Sequence, residues 1–188
     1  MSFVLAQNER ADQLLDNSAI AVLIAMVLDQ QIPMERAFIA PYLLEQRLGE
    51  PLDALKIASM DPSKLEEIFA IKPALHRFPM SMAKRVADVC SIVAQDYGND
   101  ASRIWMDALD AKDLFRRISS LPGFGKDKTK IFIALLGKQK DLSVSSWETV
   151  CEPFGAQGTY MSVADIVDTE SLLKVREFKA AMKLSKKA

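Results

Sequence analysis

The sequence predicts an all-α protein. Apolar residues recur at helical spacing along most of the 188 residues, clean apolar–polar alternation is absent, and only seven glycines occur. Apolar residues make up 49% and charged residues 26% of the chain, which are values of a folded globular protein. No internal repeat and no dividing linker is found, so residues 1–188 are predicted to form one domain of roughly ten short helices.

Capping residues and helix breakers set the predicted boundaries. In the first half of the chain they predict a helix from Arg10, one from Ala19 to Leu28 behind the N-cap Ser18, one from Pro33 to about Leu48, one from Leu65 to Ala70 behind Asp61, and one from Met80 to about Tyr97. In the second half they predict a short helix at Trp105, one from Ala111 to Ser119 behind Asp110, one from Lys126 to Leu136, and a last one opened by Thr169.

Few residues are available for metal or redox chemistry. The chain has two cysteines, Cys90 and Cys151, and one histidine, His76, so the count excludes a four-thiolate iron–sulfur cluster. The low cysteine count favours a reducing compartment, and we expect a cytoplasmic protein, associated with the nucleoid if the source is bacterial. The ten apolar residues 19–28 follow charged residues and are too few to cross a bilayer, so no membrane partner is expected.

The net charge of −1 conceals two basic stretches. Residues 112–140 contain eight basic and two acidic residues, and residues 174–188 contain six basic and one acidic residue. Clustered positive charge of this kind suits a phosphate-binding face. Solvated helix faces and a frayed lysine tail are the alternative interpretation.

The most informative segment runs from Ser119 to Thr129. Pro122 restricts the backbone, Gly123 and Gly125 permit positive φ and close approach, and a helix begins directly afterwards. Unpaired N–H groups and the positive end of the helix dipole would meet at one spot and form an anion site. Its candidate residues are Leu121, Gly123, Phe124, Gly125, Lys126, Lys128 and Thr129. A tight glycine-rich turn is the alternative, whereas a dinucleotide fingerprint and a Walker loop both lack required residues.

The segment Leu121-Pro122-Gly123-Phe124-Gly125 resembles the hairpin of a helix–hairpin–helix motif, here spanning about 111–136. Two further segments agree with this likeness: Leu28-Asp29-Gln30-Gln31 after an apolar helix, and 78–86 as the opening of a middle helix. Along roughly residues 15–150 the chain is therefore similar to the helix–hairpin–helix (HhH-GPD) DNA glycosylase superfamily of base-excision repair.

This resemblance implies a two-lobed helical fold around a cleft. The hairpin backbone would hold phosphates of damaged double-stranded DNA, in some members through a bound K⁺ or Na⁺ ion, with no other cofactor. The damaged base would be flipped into the cleft, and Gln30 or Gln31 would fill the gap or contact the orphan base. A solvent-exposed helix end is an equally weighted interpretation of the glutamines. The protein is expected to act as a monomer.

The chain departs from the family at the catalytic positions. The family aspartate follows the hairpin by about twenty residues and stabilises charge on the sugar. Here Ser145 and Ser146 occupy that place, and the nearest acids are Asp141 and Glu148. Glu148, between Trp147 and Thr149, is the first candidate, with an ordinary helix acid as the alternative. Asp127 stands where some members carry a nucleophilic lysine, so no lyase activity is expected.

The sequence thus predicts a base-excision repair protein that hydrolyses the N-glycosidic bond of a damaged base. A non-catalytic binder of damaged or distorted DNA on the same scaffold is the alternative, followed by a helical protein-interaction module. The resemblance does not extend to 162–188, where a basic helix over about 170–188 is expected to add nonspecific DNA contacts.

Overall fold

A computed structural model describes residues 3–140 and 142–185 and confirms the all-helical prediction. The described residues form eleven α-helices and one 3-10 helix, with no strand among them. The helices are α1 (Glu9–Asn17), α2 (Ala19–Leu28), α3 (Met34–Leu48), α4 (Ala54–Ser59), α5 (Pro62–Ala70), α6 (Pro79–Asp96), α7 (Arg103–Met106), α8 (Ala111–Ser119), α9 (Lys126–Gln139), α10 (Glu148–Cys151), the 3-10 helix Val163–Asp165, and α11 (Thr169–Ser185).

Side-chain caps begin several of these helices where the sequence predicts them. Ser18 accepts the Ala21 N–H of α2, Asp61 accepts N–H groups of α5, and Asp110 accepts the Asp113 N–H of α8. Helix α9 continues three residues beyond the predicted end at Leu136. Gly137 lies in this extension against the Trp147 indole, where a Cβ would come within 2.3 Å of a ring carbon. This glycine serves close packing and does not end the helix.

Helix α2 is the centre of the first half of the chain. Residues 21–28 are all buried, and α2 contacts α1, α3 and α6. Its burial explains why it lacks a polar face. Among the described residues, no single helix has the length and apolar composition to span a membrane; only α1 and α2 taken together do, and they are bent by 115°.

The most extensive helix contacts fall into two sets. One set consists of contacts among helices α1 through α6. The other consists of contacts among helices α7 through α11 and the 3-10 helix. One continuous hydrophobic core runs through both sets. Polar contacts also cross between them: the Lys128 ammonium of α9 donates to carbonyls of α2, and the Lys140 ammonium donates to the Asp16 carbonyl of α1 at 2.7 Å. The hairpin before α9 therefore lies next to the C-terminal end of α2.

Helix α11 is packed only along its first half. Leu172 and Val175 are buried, whereas most residues from Arg176 to Ser185 are exposed. Exposed apolar side chains in this helix include Leu173, Met182 and Leu184. The predicted basic helix thus forms as far as Ser185, and residues 186–188 lie outside the described part of the chain.

Candidate nucleic-acid interface

The turn between α8 and α9 has the geometry of a closed hairpin. The Phe124 N–H donates to the Leu121 carbonyl at 3.1 Å, and Gly123 between them has φ +87°. The side chains of Leu121 and Phe124 are buried, and the Phe124 ring lies 5.6 Å from the Phe132 ring of α9. These two residues hold the turn on the core while its backbone stays at the surface.

The N-terminus of α9 is available to an anion. Its N-cap residue is Gly125, so no side-chain hydrogen bond caps the helix, and Lys126 is exposed beside it. The first N–H groups of a helix without a side-chain cap carry a partial positive charge and bind phosphate groups. Arg85 of α6 adds a charge at the same place, because its side chain packs directly against Gly123.

The hairpin also contains carbonyl oxygen atoms of the kind that coordinate a K⁺ or Na⁺ ion. Backbone carbonyls of residues 121–125 supply hard oxygen atoms, and the Leu121 carbonyl keeps a second lone pair beyond its bond to Phe124. The donor chemistry therefore fits a monovalent cation, which these carbonyls would hold. Among the described residues, no group of three or more His, Cys, Asp or Glu side chains could hold a metal ion.

Lys128 and Thr129 lie inward of this surface. The Lys128 ammonium donates to the Met26 carbonyl at 2.8 Å and to the Val27 carbonyl at 3.1 Å. Burial lowers the pKa of Lys128 to about 8, Asp29 opposes this shift, and Arg85 adds to it. Thr129 is fully buried and its Oγ1 has no hydrogen-bond partner among the described residues. Neither side chain shares the exposed surface of Lys126.

The two glutamines differ in exposure. Gln30 is half-buried and its side-chain nitrogen donates to the Val27 carbonyl at 3.0 Å, whereas Gln31 is exposed with φ +56°. His76, which is buried, fastens this segment to the residues before α6. Its Nε2 donates to the Gln30 carbonyl at 2.9 Å and its Nδ1 accepts the Phe78 N–H at 3.0 Å. Burial lowers the pKa of His76, in keeping with this neutral tautomer.

Glu148, the predicted catalytic acid, is not brought together with these residues. It is exposed at the start of α10, which packs on α8 and α9. Lys130, near α10, donates to the Glu152 carbonyl, and it projects about 200° around α9 from Lys128. Ser145 and Ser146 are exposed in the turn before α10, and Asp141 lies outside the described residues.

Two acids later in the chain, Asp165 and Asp168, already accept hydrogen bonds from neighbouring protein groups. The Asp165 carboxylate is buried, pairs with the Lys138 ammonium at 2.6 Å, and accepts the N–H groups of Met161 and Ser162. Asp168 accepts the N–H and the hydroxyl of Ser171, both at 2.7 Å, at the start of α11. Both carboxylates are therefore occupied by backbone and side-chain partners of their own region.

The C-cap residue of α2, Asp29, is the acid that the sequence alone did not single out. It is half-buried, and its carboxylate accepts no hydrogen bond from any described residue. Burial raises the pKa of Asp29, the charges of Lys179 and Lys128 lower it, and Glu35 raises it. The sequence did contain a signal for Asp29: a carboxylate that directly follows an apolar helix and precedes two glutamines.

Much of the basic charge of residues 112–140 is used within the protein. Six of the eight basic side chains bond to protein atoms: Arg116 and Arg117 to Asp113, Lys128 to α2, Lys130 to Glu152, Lys138 to Asp165 and Lys140 to Asp16. Lys112 and Lys126 are exposed and have no such partner in the described ranges. Positive charge at the hairpin surface thus comes chiefly from Lys126, Arg85 and the helix itself.

No family model, no curated protein and no solved structure matches the chain. The functional proposal therefore rests on the geometry described above.

Proposed function

We propose that this chain is a helix–hairpin–helix protein that binds damaged duplex DNA, flips the damaged base and hydrolyses its N-glycosidic bond without lyase activity. The observation that carries the proposal is the hairpin at 121–125. It presents the uncapped N-terminus of α9 at the surface, with Gly123 in the left-handed region and Lys126 and Arg85 beside it. Backbone donors of this kind bind phosphates irrespective of base sequence.

The helix arrangement supports the two-lobed, glycosylase-like architecture within this proposal. Two sets of helices meet where Lys128 of α9 bonds to the end of α2, and the glutamine segment directly follows that end of α2 in the chain. A cleft between two lobes would give a flipped nucleotide a place outside the DNA stack. Gln31, exposed and in a left-handed conformation, is the side chain of the pair that is free to enter the duplex.

A non-catalytic binder of damaged or distorted DNA is the second candidate. The observation that favours it is the position of Ser145 and Ser146, whose hydroxyls cannot supply the negative charge of the family aspartate. Glu148 is also exposed, and it is not among the charged groups that act on Lys128. DNA binding is common to both candidates, and base release separates them.

The first experiment tests DNA binding at the hairpin. Fluorescence anisotropy with a labelled duplex is expected to show affinity that falls steeply with salt. Lys126→Glu is expected to weaken binding about tenfold or more, because it places negative charge at the phosphate site. The matched control is Lys112→Glu, an equally exposed lysine at the start of α8. Equal effects of the two changes, or binding independent of salt, would contradict an interface at the hairpin.

The second experiment tests base release. The protein is incubated with duplexes that carry alkylated, deaminated or oxidised bases, and alkali-labile abasic sites are scored. Release from one of these substrates supports a glycosylase. Binding without release from any of them supports the non-catalytic candidate.

A further inference from the structure

We propose that Asp29, held between Lys128 of α9 and Lys179 of α11, is the carboxylate that stabilises positive charge on the sugar. This inference rests on the proposed function and names the group that would take the place of the family aspartate. It assigns the role to the end of α2, and not to Glu148 on α10.

Chain geometry places Asp29 beside the hairpin. The Lys128 ammonium donates to the carbonyls of Met26 and Val27, so the first turn of α9 is held against the last turn of α2. Asp29 is the next residue of that chain segment, and its N–H caps the helix by donating to the Ala25 carbonyl. A nucleotide whose phosphate is bound at the N-terminus of α9 would therefore have its sugar near this junction.

The carboxylate of Asp29 is free to act on a ligand. No described residue donates a hydrogen bond to it, whereas Asp165 and Asp168 each accept two or more. Protein groups with unused acceptors that are partly withdrawn from water interact strongly with a positive charge brought to them. Burial raises the pKa of the Asp29 carboxyl, while the charges of Lys179 and Lys128 act in the opposite direction and favour the ionised form.

A pocket of about 300 Å³ adjoins the carboxylate, at the lower end of the size range of small-molecule sites. Asp29 and Lys179 stand at its polar side, and its apolar walls include Ile32, Ile166, Leu172 and Val175. Helix α11 forms one wall, so the C-terminal segment would contribute directly to the site. Arg176 of α11 pairs with Glu35 across the same pocket.

The chemistry balances without a cofactor. The bond between the sugar carbon and the base nitrogen breaks, and its electron pair leaves on the base, which gains a proton from solvent. Positive charge develops on the sugar, and the Asp29 carboxylate stabilises it. Water then adds to the sugar carbon and transfers a proton to the carboxylate, which later returns it to solvent.

The test uses abasic duplexes and requires no knowledge of the damaged base. One duplex carries a neutral tetrahydrofuran at the abasic position, and the other carries a pyrrolidine ring that is protonated and mimics the cationic sugar. The measured quantity is the ratio of the two affinities for the full chain. We expect the wild type to prefer the cationic duplex by about tenfold or more, as enzymes prefer mimics of their transition state.

Three variants locate the responsible group. Asp29→Asn is expected to abolish the preference, while Glu148→Gln is expected to retain it. Lys179→Gln is expected to enlarge the ratio, because an exposed competing cation is removed from the carboxylate. This variant changes a surface side chain, so it tests the assignment even if Asp29→Asn fails to fold.

Each outcome is decisive. Loss of the preference in Glu148→Gln, or its retention in Asp29→Asn, overturns the assignment to Asp29. Equal wild-type affinity for both duplexes also overturns the assignment but leaves the proposed DNA binding intact. Binding to neither duplex overturns both. A covalent protein–DNA product trapped by borohydride on an aldehyde abasic site, and lost in Lys128→Met, would make Lys128 a nucleophile and overturn the hydrolytic step.

Discussion

Acidic side chains in this protein differ mainly in how many of their acceptor sites are used. Asp165 pairs with a buried ammonium and accepts two backbone N–H groups, and Asp12, also buried, accepts the Ala6 N–H at 2.8 Å. These bonds hold loops to helices and leave little capacity for a ligand. Asp29 is partly buried without such bonds, and its proposed role depends on this difference from the other acids.

Titration of Lys128 tests the contact between α9 and the C-terminal end of α2. We expect Lys128 to titrate at about 8, below the ordinary lysine value of 10.5, because burial disfavours its charged form. Asp29→Asn is expected to lower this pKa further, since the carboxylate stabilises the ammonium. NMR of isotopically methylated lysines measures both values, with the Lys128 signal assigned from Lys128→Met.

The stability of the fold should follow the same titration. Because the folded protein binds fewer protons at Lys128 than the unfolded chain, the free energy of unfolding should rise as pH increases from about 8 to about 10.5. Lys128→Met should lack this contribution.

Glu148→Gln is the control for the effect of Asp29→Asn on the pKa of Lys128. A Lys128 pKa that responds equally to both carboxylate changes would contradict the packing at the end of α2.

At the scale of elements, the conformation of the hairpin depends more on Gly123 than on Gly125. Gly123→Ala is expected to destabilise the fold by about 1–2 kcal/mol, because an alanine at φ +87° meets left-handed strain. Its Cβ would also come within 2.6 Å of the Arg85 Cδ and displace that side chain from the hairpin. DNA affinity should fall as well, since the turn and Arg85 both move.

Gly125→Ala is the matched control for that change. No atom lies within 4 Å of a Cβ at Gly125, and its φ of −74° suits any residue. Urea denaturation should therefore show a much smaller loss of stability for Gly125→Ala. Similar losses for the two variants would show that the turn does not have the described backbone conformation.

The helices could be predicted from the sequence because their signals are local. Ser18 and Asp110 act as N-caps, Gly49 ends α3 with φ +73°, and α2 and α8 have the predicted bounds. Helix α9 extends past its predicted end through Gly137, which admits the Trp147 ring from a later segment. The 3-10 helix Val163–Asp165 was missed because three residues leave too short a pattern.

The candidate site was predictable only in part, because its geometry depends on distant segments. The spacing of Lys128 from Phe132 and Leu135 places it on the buried side of α9, which the sequence could have indicated. The surroundings of Asp29 could not be predicted, since they combine α2 with a lysine from α9 and another from α11. Glu148 was chosen as the acid nearest to the family position, which Ser145 and Ser146 occupy, and α10 lies near Lys130, whose ammonium donates to the Glu152 carbonyl.

At the scale of the whole molecule, intramolecular pairing decides how much positive charge remains for the proposed binding of DNA. Lys138 and Lys140 each contact an aspartate, and Arg176 pairs with Glu35. The last part of the chain is different, because Lys183 is exposed without a described partner and Lys186 and Lys187 follow it in sequence. Among the described residues of this tail, Lys183 is therefore a lysine that no described ion pair uses.

Deletion of residues 182–188 is expected to separate folding from DNA binding. The packed residues of α11, Leu172 and Val175, and the Lys179 beside Asp29 all remain, so the thermal midpoint should change by no more than about 2 °C. Removal of three lysines should weaken nonspecific duplex binding and reduce the slope of log affinity against log salt by about 1–3. The preference for a cationic abasic duplex should persist, because the carboxylate and its neighbouring lysines are untouched. An unchanged salt slope would show that the tail contacts no DNA, and a large loss of stability would show that the end of α11 is part of the folded core.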